Sequence, residues 1–320
     1  MTSPRRVDIE YESEGFAAGA AVANGKATLS TNWNELLWAA LTVGRPNRQY
    51  VFKNGNASMY EAVFRLSMLR MALEQNSPAS WRLRRTDAAK TLDPSEKGAV
   101  NYFLGLVVCK LFADRLLNAP WMMHLDIWRS QLGAVLTGRS RPDLVGKIRG
   151  GNSWIALECK GRVSKPDSDS KNKAKDQALR LVSVNGVAPS LHIGGFAYFR
   201  SDVLRFYWRD PTPERPIKNP IQVVIVESDW RYYYGPVLDL IRASWSSRTE
   251  APNEILFPVE GLDMQIGIDP VVLKLLEGAE WSAARTRAEE VSSGEHPQYR
   301  GDGIRVVAGE SWLRRFEEGE

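Results

Sequence analysis

The sequence is short of the residues that staple or clip a small fold together, with two cysteines and three histidines among 320 residues. Cys109 and Cys159 both sit in apolar runs and read as buried reduced thiols. That argues against a disulfide scaffold and suits a cytoplasmic protein. His124, His192 and His296 are scattered, so no zinc-ligand spacing exists. Long hydrophobic runs are missing too: Lys110, Asp114 and Arg115 interrupt the best one, so no segment reads as a membrane span. After Arg5-Arg6 come Asp8, Glu10 and Glu12 instead of an apolar stretch, which is not the pattern of a secretion signal. There is no Gly-x-x-x-x-Gly-Lys-Ser/Thr loop, which argues against a P-loop nucleotidase, and no repeat or coiled coil. Neither charge sign dominates. The 42 basic and 38 acidic residues leave a net charge of +4, which permits nucleic-acid binding without demanding it. Hydrophobic residues at 43% and charged residues at 25% are those of a soluble globular chain. The length suits one large core with additions, or two domains.

What is present is a pattern of acids and one amine. Asp143 follows Pro142, and Glu158-Cys159-Lys160 closes an apolar run after a Gly150-Gly151-Asn152 turn. Residues 153–160 read as a strand bounded by glycines. Side chains alternate in a strand, so Trp154, Ala156, Glu158 and Lys160 share one face. Ile155, Leu157 and Cys159 take the other and are expected to meet the core. Residues 144–149 read as the partner strand of an antiparallel hairpin, which carries Asp143 back toward Glu158. Two facing carboxylates repel unless a cation joins them, and a hard, oxygen-liganded ion such as Mg²⁺ satisfies both. The backbone carbonyl of Cys159 is the candidate third ligand. Such an ion would polarise a phosphate and acidify a water, and Lys160 would orient that water or neutralise the transition state.

Together, Pro142-Asp143 and Glu158-Cys159-Lys160 resemble the PD-(D/E)xK nuclease superfamily, which has a restriction-endonuclease-like fold. The resemblance covers the core, roughly residues 91–210. It implies an α/β core with a central mixed β-sheet flanked by helices. It also implies Mg²⁺-dependent cleavage of DNA, with Mn²⁺ as a substitute. In that family a helix after the Glu-x-Lys strand often turns a Gln or Lys toward the metal, which points to Gln177 and, second, Lys173. Members also carry an acidic residue on a helix before the Pro-Asp strand, which points to Glu96, with Asp126 as its rival. Each has a plainer reading: Gln177 as a solvated helix residue, Glu96 as part of a capping box, Asp126 as a strand-end residue. Asp143, Glu158, Lys160 and Gln177 are thus the catalytic candidates. Asp143, Glu158, the Cys159 carbonyl and Glu96 are the metal candidates.

Around this core the sequence divides into a mostly helical N-terminal extension over residues 1–90, a nuclease core over 91–250 and a C-terminal extension over 251–320 without an assigned role. Helices are expected at 34–43, 58–75, 95–117, 171–184 and 230–245. The third is the clearest, with Asp93 as N-cap, Pro94 next and Glu96 three residues on. Ser170 is the expected cap of the fourth, with Ala174, Ala178, Leu181 and Val182 on its buried face. A hairpin is expected from 191–199 and 203–208, and a buried strand at 221–226. Basic and aromatic groups offer nucleic-acid contacts at Trp81-Arg82-Leu83-Arg84-Arg85, at Lys165, Lys171, Lys173 and Lys175, and at Tyr232, Tyr233 and Tyr234. A linker, a solvated loop and core packing are their ordinary alternatives. The functional expectation is a DNA endonuclease of restriction or anti-phage defence type, with a homodimer and a defence-system protein as candidate partners and no membrane. A non-catalytic nucleic-acid-binding module and an RNA nuclease are the competing readings.

Overall fold

In a computed structural model, which describes residues 6–44, 56–77, 80–131, 140–211, 216–251, 254–295 and 298–312, the apolar runs meet in one large mixed sheet. The chain enters it at once, through β1 (Arg6–Glu14) and the antiparallel β2 (Gly25–Asn32). Helix α1 (Trp33–Thr42) follows, capped by Asn32, whose side chain accepts from the Glu35 amide. Next come α2 (Asn56–Ala72), the hairpin β3 (Leu73–Ser77) and β4 (Ser80–Arg85), and the short α3 (Asp87–Thr91). The N-terminal segment, expected to be mostly helical, is therefore as much strand as helix, and β1 runs parallel to a strand near residue 205. Its signature was a period of two, with Val7 and Ile9 buried between charged residues. Those charges hid the strand: Glu10 is paired with Arg82 and Arg205. The sequence also offers a Gly/Asn-rich link at Lys53-Asn54-Gly55-Asn56; its first three residues lie outside the described residues, and Asn56 opens α2.

The central part follows the sequence more closely. Helix α4 (Pro94–Leu117) carries the expected capping box: Asp93 accepts from the amides of Ser95 and Glu96, and the Glu96 carboxylate accepts from the Asp93 amide. Asn118, at φ 54°, ends the helix in the left-handed region. Three antiparallel strands come next, β5 (Trp121–His124), β6 (Leu144–Lys147) and β7 (Trp154–Arg162). Helix α5 (Ser168–Leu179) begins earlier than expected, because Asp167 and not Ser170 is the cap. The Asp167 carboxylate accepts from the Ser170 amide at 2.7 Å. It also ends earlier. Leu181 and Val182 belong to β8 (Leu181–Val184), where a β-branched segment pairs in parallel with β11 (Ile221–Val223). Strand β11 covers only the first half of the run expected at 221–226, and Val224 and Val226 are exposed.

The hairpin of β9 (Leu191–Arg200) and β10 (Val203–Arg209) turns at Ser201 and Asp202, both with positive φ, as a two-residue type I′ turn requires. Strand β9 lies parallel to β7, so the sheet runs β2-β1-β10-β9-β7-β6-β5, with β4 wedged between β1 and β10 and β3 beside β4. Helix α4 covers one face of β7 and β9, and α5 the other. With helices on both faces, the central strand β7 is apolar on both sides from Trp154 to Leu157, and Glu158 is the first charged residue along it.

The tyrosines of α6 (Arg231–Ala243) are core residues. Tyr232, Tyr233 and Tyr234 are all buried, so they are unavailable to stack on bases. The C-terminal segment forms an antiparallel sheet from β12 (Thr249–Ala251), β13 (Glu254–Pro258), β14 (Met264–Ile268) and β15 (Ile304–Ala308), with helices α7 (Pro270–Glu277) and α8 (Trp281–Glu290) before the last strand. It also sends Asp302, fully buried, into the core. The Asp302 carboxylate accepts from Trp38 Nε1 at 2.9 Å and Tyr233 Oη at 2.6 Å. Tyr233 Oη in turn accepts from the buried Lys110 ammonium at 2.8 Å. Burial pushes the amine down and the carboxyl up, and each one's charge opposes the other's shift. Among the described residues, no helix is long and apolar enough to cross a membrane.

Removing the carboxylate would take from Lys110 the larger of the two acidic charges, Asp302 and Asp114, that offset its burial. Asp302→Ala is expected to lower stability by about 3–5 kcal/mol, read from the midpoint of urea unfolding. A loss under about 1 kcal/mol would show that Tyr233 and Thr42 suffice to hold Lys110.

Candidate active site

Alternation along β7 decides which side chains meet. Glu158 lies beside Gly194 of β9, and Cys159 beside Gly195. A methyl group added at Gly194 would touch Ala174 of α5, and one at Gly195 would strike Cys109 of α4. Glu158 and Lys160 therefore face α5, while Cys159 faces α4. The expected alternation holds, but the expected split into buried and open faces does not. Trp154, Ala156 and Glu158 are buried as fully as Ile155, Leu157 and Cys159, because α5 covers their side.

The β6–β7 hairpin does bring Asp143 to Glu158. Lys147 pairs with Trp154 and Leu144 with Leu157, so Asp143 precedes the first rung beside Glu158. The Asp143 carboxylate accepts from the Cys159 amide at 2.9 Å. Within a strand, one residue's N–H and C=O point to the same side, which directs the Cys159 carbonyl toward Asp143 as well. Asp143, Glu158, Lys160 and Gln177 line one cavity of about 230 Å³. Gln177 is buried on α5, as are Ala174 and Ala178, so it is not a solvated helix residue.

The other candidates separate. Asp126 lines the same cavity, where it is paired with Arg141. Glu96 is exposed, at the start of α4, and its carboxylate is spent on the capping box. Lys173 lies in an adjoining groove of about 570 Å³ with Arg162 and Ser170; Lys160 and Gln177 are common to both spaces. Much of the remaining basic sequence is compensated internally. Arg82, Arg84 and Arg85 pair with Glu10, Glu74 and Asp202, and Lys175 is buried against Asp210. Lys165 and Lys171 lie 3.6 and 3.7 Å from Glu12 and Glu14. Three cavity residues had no role assigned from the sequence: Tyr102, His124 and Arg141. Arg141 adjoins the Pro-Asp pair. Tyr102 and His124 carry no local signal, since they come from a helix and a strand distant in sequence.

The electrostatics are those of a crowded acid pair. Burial, then the Asp143 charge, pushes Glu158 up to about 8, against the pull of Lys160. Burial also raises Asp143, opposed by Lys160 and the Cys159 amide. Burial alone would lower the Lys160 amine, but Glu158 and Asp143 outweigh it and the net shift is upward. Glu158 Oε1 is bonded to Lys160, while Oε2 is buried and, among the described residues, receives no hydrogen bond of ordinary geometry. Two adjacent carboxylates with an oxygen left unpartnered in a polar cavity fit a hard divalent cation. Among the described residues, no three His, Cys, Asp or Glu side chains group into a ready metal site. The available donors are thus Asp143, Glu158 and main-chain oxygen.

No protein-family model, curated protein or solved structure matches this chain.

Two consequences are measurable. Glu158 holds its proton more tightly folded than unfolded, so the metal-free protein should lose stability as pH rises from the ordinary glutamate range through about 8. Thermal unfolding in EDTA should show this fall, Mg²⁺ or Mn²⁺ should reverse it at the upper end, and Glu158→Gln should flatten it. An unchanged slope in Glu158→Gln would assign the pH effect to another group. The second concerns Gly161, where an added methyl would lie 1.5 Å from the Asn101 carbonyl oxygen. Gly161→Ala should cost about 1–3 kcal/mol or more in urea unfolding, through displacement of α4 from β7.

Proposed function

We propose that this protein is a metal-dependent endonuclease that hydrolyses phosphodiester bonds in DNA, of restriction or anti-phage defence type. The observation that carries the reading is the convergence of Asp143, Glu158, Lys160 and Gln177 on one cavity, with Glu158 Oε2 buried and, among the described residues, unpartnered. It adds geometry to the resemblance of Pro142-Asp143 and Glu158-x-Lys160 to the PD-(D/E)xK nucleases.

In this reading Asp143 and Glu158 hold Mg²⁺ or Mn²⁺, with the Cys159 carbonyl as a main-chain ligand. The cation supplies Lewis acidity toward the phosphate and a lowered pKa for water. Lys160 is the compact cation beside the reacting phosphate. Held by Glu158, it offsets the charge that builds up as the phosphorus becomes five-coordinate. Gln177, fixed on α5, donates an amide hydrogen bond into the same space. The adjoining groove, with Arg162 and Lys173, offers positive charge to the flanking backbone. One cavity cuts one strand, so double-strand cleavage would call on a second copy of the chain. The cavity's groups address phosphate and not sugar, which makes RNA the competing substrate.

Incubation with supercoiled, linear, nicked and single-stranded DNA, and with matched RNA, in Mg²⁺ and in Mn²⁺ tests the proposal. DNA cleavage that EDTA stops is expected. Asp143→Ala, Glu158→Ala and Lys160→Ala should each lower the rate by about 10²-fold or more. Cleavage by Lys160→Ala at the parent rate would sink the assignment, and cleavage of RNA alone would transfer it to a ribonuclease.

A further inference from the structure

Tyr102 and His124 share the cavity with the acid pair, and their hydrogen bonds fix where the protons lie. His124 Nδ1 accepts from the backbone amide of Asp126 at 3.2 Å. A nitrogen that accepts carries no proton, so in the neutral ring the proton is on Nε2. The ring is neutral for the same reason, since an imidazolium carries a proton on both nitrogens and could not accept from the Asp126 amide. His124 Nε2 lies 3.2 Å from Tyr102 Oη, and with this tautomer the histidine donates and the tyrosine accepts. The phenol proton is then left for another acceptor, and Tyr102 lines the cavity beside Asp143, Glu158 and Lys160.

We propose that Tyr102 donates its hydroxyl hydrogen bond to a non-bridging oxygen of the phosphate bound in this cavity, and that His124 is the positioning residue that keeps this proton available. The proposal rests on the phosphodiesterase reading above and gives that site a second neutral donor, opposite Gln177. Close packing holds the main chain that carries Tyr102 in place. Its neighbour Asn101 touches the backbone of Gly161, so the tyrosine keeps a fixed height above the end of β7.

The test is a double-mutant cycle on the full-length protein, with steady-state cleavage of plasmid DNA as the readout. Tyr102→Phe keeps the ring and removes only the donor. It should lower kcat/KM at least about tenfold, as expected for a hydrogen bond to a charged group, with an unchanged unfolding midpoint. His124→Asn keeps an acceptor for the Asp126 amide and removes the Nε2 donor. It should cause a smaller loss, and no further loss once Tyr102 is Phe, which a merely structural role would not produce. Tyr102→Phe cutting at the parent rate overturns the proposal while leaving the nuclease reading intact. Full additivity of the two variants overturns the positioning role of His124. A parent protein that cuts no nucleic acid overturns both readings together.

Discussion

One contact fixes the geometry of the candidate site: the passage of α4 across the end of β7, backbone against backbone. A methyl at Gly161 would overlap the Asn101 carbonyl, and one at Gly105 would press on Gly161 and Lys160. Two glycines, one in each element, let the helix lie on the strand with no side chain between. Lys160 is the residue before Gly161, and Tyr102 the residue after Asn101. The same approach therefore sets the ammonium and the phenol relative to each other. On the opposite face Gly194 does the equivalent for α5, whose Ala174 would meet any side chain there, and so brings Gln177 down to Glu158. The site is a product of thin packing on both sides of one strand.

Charge is used sparingly in this molecule. Much of the basic sequence is paired internally, along β4 and at Lys165, Lys171 and Lys175. Composition therefore overstates the charge offered to a partner. The same holds beside the cavity for Lys160, paired with Glu158, and for Arg162, 3.9 Å from Asp167, while Lys173 adds a further cation to the groove. In low-dielectric surroundings an ammonium beside two carboxylates exerts more force than a scattered surface patch.

The parts of the fold legible in the sequence are those where one local rule dominated. The capping box and apolar period of α4, the hairpin of β9 and β10 and the glycine-bounded hairpin of β6 and β7 all announced themselves. So did Asp143, Glu158 and Lys160, because a strand's two-residue alternation and a hairpin are short-range geometry. Strand β1 did not, since its outward residues are charged and their partners lie far along the chain, as in Glu10 with Arg205. The apolar spacing of Leu181–Val184 suits helix and strand alike; pairing with β11 decides for strand. Tyr102 and His124 were invisible for a different reason: only the folded sheet brings them beside the acids.

The buried contact of Asp302 also bears on how the chain can fold during synthesis. Trp38, Lys110 and Tyr233 all depend, directly or through one hydroxyl, on a carboxylate that emerges far later than any of them. A nascent chain that has released α4 and the central strands still lacks the partner for its buried amine. The central layer can collapse on the ribosome, but it cannot lock until the segment around residue 302 has arrived. The C-terminal sheet is in that sense a clasp that closes the fold last.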